Sequence, residues 1–188
     1  QLTANGKVFI VNPNGIIFGK GSQVDAAGIV ASTANISNQQ FMTGQFLFNQ
    51  PGKPNATIRN EGSITAKQGG LVALVAPNVR NDGVITAKFG KVALGGSDAF
   101  TLDMYGDGLI QLAVPQDKAN VTNTGNIQAG MVTMEAGAAK QVVDSVVNMG
   151  GLVEATNAHG DGGFVILDAG TTNVSGTIQA SGHQGGKV

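Results

Sequence analysis

Apolar and polar positions alternate along residues 58–96 in a phrase that is spoken twice. Ile58-Arg-Asn60-Glu-Gly62-Ser-Ile64-Thr-Ala66 is followed by Val79-Arg-Asn81-Asp-Gly83-Val-Ile85-Thr-Ala87, and the offset from Ile58 to Val79 is kept at every matched position. The period of two and the β-branched content predict strands, punctuated by Gly and Asn. The phrase returns at Val121-Thr-Asn123-Thr-Gly125-Asn-Ile127-Gln-Ala129, twice that offset past Val79 and so two periods on, with one disguised coil expected across residues 97–120. A looser copy spans residues 146–152 with Asn148 and Gly150, and a half-copy closes at Gly176-Thr-Ile178-Gln-Ala180. Each phrase leads into a second alternating run: Gly70-Leu-Val72-Ala-Leu74, Gly90-Lys-Val92-Ala-Leu94 and Gly130-Met-Val132-Thr-Met134.

A repeat of about 21 to 26 residues with no amphipathic helical stretch inside it predicts an all-β solenoid, a parallel β-helix in a single domain over residues 1–188. In such a coil every other side chain points inward and stacks on its counterpart about 4.8 Å along the axis. Asn60, Asn81, Asn123 and Asn148 are then expected to form an amide ladder, a structural rather than catalytic set. Gly62, Gly83, Gly125 and Gly150, two residues later, are expected at corners that need positive φ.

The chain opens inside this pattern, because residues 2–13 align with residues 64–77, and it closes in one at residues 178–188; a segment of a longer chain is expected. Residues 8–11 form a strongly apolar strand. Asn12-Pro13-Asn14-Gly15 ends it with turn chemistry, a tight corner expected to fix the register of the strands beside it, its rigidity serving either folding or partner recognition, and Ile16 and Phe18 restart the alternation. The period fails between residues 35 and 56, where Phe41, Phe46, Phe48, Pro51 and Pro54 gather. An excursion from the coil is expected there, a hairpin or loop whose aromatic rings form a local cluster on a solenoid face.

Composition narrows the chemistry. Among 188 residues there are 29 glycines, 12% charged residues and a formal net charge of -1, which argues against nucleic acid and anionic membrane partners. Cysteine is absent, so disulfides and thiolate metal sites are excluded. No apolar run of about 18 residues or more is present, so no transmembrane segment is expected. Hydrolysis or lysis of sugars would need clustered carboxylates with basic support. The densest acids are Asp98, Asp103 and Asp107, without an arginine near them, and the two arginines, Arg59 and Arg80, occupy the same outward position of consecutive repeats. The expectation is a non-enzymatic protein with no cofactor and no metal. His159 and His183 read as turn residues, and Asp161-Gly-Gly163 is a poor calcium turn without a repeated nonapeptide. Asn35, Asn55, Asn120 and Asn173 fit the N-glycosylation acceptor pattern, which an Asn- and Thr-rich chain meets by chance.

Residues 4–33, ANGKVFIVNPNGIIFGKGSQVDAAGIVAST, resemble the secretion domain of filamentous-haemagglutinin-like exoproteins of the two-partner secretion pathway. Asn12-Pro13-Asn14-Gly15-Ile16 matches that family's second signature motif, and GGLVALVAPNVRNDGVITAKFGKVAL is similar to its next coils, so the resemblance covers residues 1–115, with haemagglutinin-type repeats over 116–188. It implies a right-handed β-helix, an extra-helical hairpin, and secretion through an outer-membrane partner of the Omp85 type. The family's NPNL motif and cap would precede Gln1. The function expected is a segment of a secreted Gram-negative surface adhesin, with an extracellular filament or matrix protein, or the stalk of a contact-dependent toxin, as alternatives.

Overall fold

The computed structural model describes residues 1–103, 110–113, 118–136, 145–156, 162–182 and 185–188. The chain winds as a parallel β-helix with three faces. The first stacks Leu2–Thr3, Gln23–Ala26, Ser63–Ala66, the opening halves of Val84–Gly96 and Asn126–Ala136, then Leu152–Thr156 and Thr177–Ser181. The second stacks Lys7–Val11, Gly28–Ser32, Leu71–Ala76, the closing halves of the same two long strands, and Phe164–Asp168. The third stacks Ile16–Phe18, Thr57–Asn60, Asn78–Asn81, Ala119–Asn123, Ser145–Met149 and Thr171–Val174.

Like sits over like because the offsets preserve register. Val24, Ile64, Ile85, Ile127, Val153 and Ile178 form one column, and Ile16, Ile58, Val79, Val121 and Val147 another. These columns are the core: Ile64, Ile85, Ile58, Val121 and Val147 are fully buried. Apolar area removed from water this way stabilises each coil on its neighbour.

The corner glycines have a different reason to be glycine than the one expected. Gly62, Gly83 and Gly125 do not have positive φ. They are selected by close approach: a Cβ on Gly83 would lie 2.2 Å from the Gly62 carbonyl oxygen, one on Gly125 2.0 Å from that of Gly83, and one on Gly151 2.0 Å from that of Gly125. The column thus runs through Gly151 and on to Gly176, not through Gly150.

A second correction concerns residues 97–120. Asn78–Asn81 pairs directly with Ala119–Asn123, so the doubled offset is one coil carrying an insertion, not two coils with one disguised. The offset from Ile16 to Ile58 has the same cause. The first insertion holds a short helix, Asn38–Met42, with a capping box between Ser37 and Gln40, and the strand Leu47–Phe48; the second supplies Phe100–Leu102 and Ile110–Leu112. The three strands form an antiparallel sheet outside the helix, with Phe100–Leu102 in the middle. The excursion expected at 35–56 is therefore helix plus strand, and its sheet partner lies in the other insertion. Phe46, Phe48, Phe100 and Leu102 bury Val30, Ala73 and Val75 of the second face in a second core. Phe48 and Phe100 stack at 4.4 Å, and Phe41 and Phe46 gather around Phe9, so the aromatic rings form the local cluster.

Gly125→Ala is expected to cost about 1–3 kcal/mol by forcing backbones apart. Gly6→Ala is expected to be near neutral, because an added Cβ there meets nothing within 4 Å. Thermal melts of the two variants check the ordering.

Candidate functional site

The corner at residues 12–15 is made by its own atoms first. The Asn12 amide donates to the Ser32 carbonyl at 3.0 Å, the last ladder bond of the strand Lys7–Val11. Its side-chain oxygen then accepts from the Asn14 amide at 3.0 Å and the Asn14 side chain at 3.3 Å, an Asx turn. The Gly15 amide closes the turn on the Asn12 carbonyl at 3.0 Å, and Gly15 has φ of +118°, where only glycine is at ease.

The next coil holds the corner from behind. A Cβ on Gly15 would lie 2.8 Å from the Thr57 carbonyl oxygen, and the Lys53 amide donates to the Pro13 carbonyl at 2.9 Å. Gly52 fits between the Thr33 and Pro13 carbonyls, 2.5 and 2.8 Å from where its Cβ would stand. The backbone is therefore pinned, while Asn12, Pro13 and Asn14 are exposed. Ile16 packs against the core, and Ile17 beside it is 72% exposed, an apolar side chain in water next to a rigid turn. The buttress by Gly52 and Lys53 had no sequence signal, because it joins the end of the first insertion to a turn a whole coil earlier in the chain. Ile17 did have one: Ile16-Ile17-Phe18 puts the middle residue outward.

The asparagine row sits on the third face. Asn60 donates to the Asn81 side-chain oxygen at 2.8 Å, and Asn81 to that of Asn123 at 2.7 Å; all three are fully buried. Asn148 is not its next member. It stands beside Thr122, and Met149 takes the position under Asn123, its sulfur 3.6 Å from the Asn123 amide nitrogen. The reason is the apolar column: Val147 must point inward beneath Val121, which turns Asn148 outward. There it joins an exposed outer row, donating to Asn120 at 3.4 Å and accepting from Asn173 at 3.0 Å. Phe18 caps the buried row above Asn60.

Arg59 and Arg80 are neighbours in register and converge on Asp82, at 3.0 and 2.7 Å, with Arg59 also 2.8 Å from Glu61. Partial burial pushes the Asp82 carboxyl up, but hydrogen bonds from Arg80, Thr124 and Arg59 prevail and hold it at about 2. The two arginines thus tie two coils, the Thr124 hydroxyl donating to Asp82 brings in the third, and no arginine is left for the acids near residue 100. Asp98 and Asp103 flank the strand Phe100–Leu102. Asp107, His159, Asp161 and His183 lie outside the described residues. Among the described residues no group of three or more His, Asp or Glu could hold a metal ion, and no helix is long and apolar enough to cross a membrane.

The family described as TPS secretion domain matches residues 1–181, past residue 115 where the motif resemblance stops. A heme/hemopexin-binding protein of Haemophilus influenzae is 31% identical over 97% of this chain and 22% of its own length. A second, from strain Rd, is 33% identical over 90% of this chain and 19% of its length, so the chain spans about a fifth of these relatives. The crystal structure of the HMW1 secretion domain from Haemophilus influenzae superposes with a TM-score of 0.59 at 25% identity, covering 98% of this chain and 49% of that one.

Asn81→Ala strips the Asn60 amide of its short bond and leaves the Asn123 side-chain oxygen without its donor in the interior. The expected cost is about 3 kcal/mol, measured by denaturant unfolding. Because the Asp82 value is depressed, its stabilisation is full above the ordinary 3.8 and lost as pH falls through about 2. Asp82→Asn should flatten that part of the melting-temperature profile and leave the neutral-pH slope unchanged.

Proposed function

The chain belongs to the TPS secretion domain family, and from that premise we propose that it directs a large non-enzymatic adhesin through an outer-membrane partner of the Omp85 type and begins the adhesin's β-helical shaft at the cell surface. The domain is that of exoproteins secreted by the two-partner pathway of Gram-negative bacteria. The observation that carries the finer reading is the corner at residues 12–15: Asn12, Pro13 and Asn14 face water on a backbone held from both sides, with Ile17 exposed beside them. A structural turn has no need of an exposed isoleucine. A recognition surface gains from one, because a rigid apolar anchor loses little entropy on docking.

The coils supply the second half of the reading. Each folded coil presents a strand edge and an apolar column to the residues that follow, so the next coil closes against a template instead of in open solution. A chain folding this way outside the membrane cannot slip back through a pore that passes only extended polypeptide. Absence of cysteine suits passage in that form.

Asn14→Ala separates recognition from folding better than Gly15→Ala, since alanine at Gly15 meets the Thr57 carbonyl. Co-expression of the exoprotein with its transporter, reading secreted fraction and melting temperature together, should show a several-fold export loss for Asn14→Ala and Ile17→Asp with melting within about 2 °C of wild type. Normal export of both variants would remove this role from the corner.

A further inference from the structure

We propose that a groove on the second face, beside the extra-helical sheet, binds an extended polypeptide strand in which basic side chains alternate with apolar ones. The groove has a volume of about 500 Å³. Its wall is the strand Ile110–Leu112, which pairs only with Phe100–Leu102 among the described residues. Leu112 seats directly on Gly95, since a Cβ there would lie 2.8 Å from the leucine Cδ2. Ala113 donates to the Ala99 carbonyl and Thr101 pairs with Gln111, so the ladder alternation turns the Gln111 backbone toward the middle strand and the backbone groups of Ile110 and Leu112 toward the groove. An open edge of this kind is a template for one more strand.

The floor says what that strand carries. It continues the face that the sheet already covers, with Ala93, Thr133 and Ile166 in register down its middle and Met131 to one side. Ile166 is 44% exposed. Along the other side Glu135 and Asp168 stand in register on adjacent coils, and no cation pairs with either among the described residues. Burial, and then the Asp168 charge, push the Glu135 carboxyl above its ordinary range. Lys91 lines the opposite margin, in register with Met131 and thus four residues along from Glu135, about 13 Å away by strand rise and largely screened. A lysine or arginine of an added strand would reach the acid pair while its apolar neighbours lie on Met131, Ala93 and Ile166. The groove and the corner at residues 12–15 are separate sites, and each can fail without the other.

The probe is a fluorescein-labelled, N-acetylated hexapeptide of alternating valine and lysine, titrated with the 188-residue chain by anisotropy. A saturable rise is expected, weakened about tenfold in the Glu135→Gln, Asp168→Asn double variant and for a valine-glutamate peptide. Ile110→Pro removes an edge amide that no described strand uses, along with a side chain packed on the second core, and should abolish binding at a temperature where its own melting curve shows the variant folded. Lack of saturation, or equal binding by the variants, overturns the proposal. So does self-association through this face, seen as peptide-competed dimers in sedimentation, which would make the occupant a second copy.

Discussion

The constraint on which the rest of the structure depends is the approach of one coil's backbone to the next at the glycine corner. The carbonyl of each corner residue occupies the space where its successor's Cβ would be, from Gly62 through Gly83, Gly125 and Gly151 to Gly176. Such contact admits no slippage. A shift of one residue would bring a side chain against a carbonyl and would also turn every inward residue outward. The glycines therefore set register at the corner, and register sets the valine and isoleucine columns on the strands that follow. The buried asparagines stand two residues before these glycines, and their amides bond from coil to coil because the same register brings them over one another.

Fixed register leaves inserted residues one way out. Extra chain leaves a coil at a corner and returns to the same place, and both insertions leave after the second face, following Ser32 and Gly96, and return at the third. Sharing one corner two coils apart, they emerge on one side of the helix and can pair as a sheet. Stacked Phe48 and Phe100 join them. What looks in sequence like two unrelated losses of period is one layer in space, laid on the outward residues of the second face.

The repeat, the strand columns, the first three asparagines and the turn at residues 12–15 were legible because each is a local pattern, most of them copied at a fixed offset. Asn148 shows where copying misleads. Residues 148–150 spell Asn-Met-Gly and invite alignment with Asn123-Thr-Gly125, yet the apolar positions Val147 and Val153 stand one coil beyond Val121 and Ile127 and demand Met149 under Asn123. Burial of two valines outweighs one buried amide bond, so the core pattern decides when it conflicts with a turn motif. The step from Val79 to Val121 misled differently. As an even multiple of the repeat it suggested an extra coil, and nothing local distinguishes a coil from an insertion of the same length.

The corner at residues 12–15 combines bonds of two ranges, which matters under the proposed role, in which the chain is exported before it folds. The Asx turn and the Gly15 to Asn12 bond join residues two and three apart, and Pro13 holds its own φ, so this much can form in an extended chain. The Lys53 bond to Pro13, and the fit of Gly15 to Thr57, require the chain as far as Thr57 to be wound into place. A partner that reads the local turn can engage before folding, and the completed coil then holds the same turn from behind, with Gly52 wedged against it. Under the proposed export role the motif's conformation is thus shared by the unfolded and folded chain, and only its freedom changes. A pattern of polar residues kept free of the core columns is what that continuity requires.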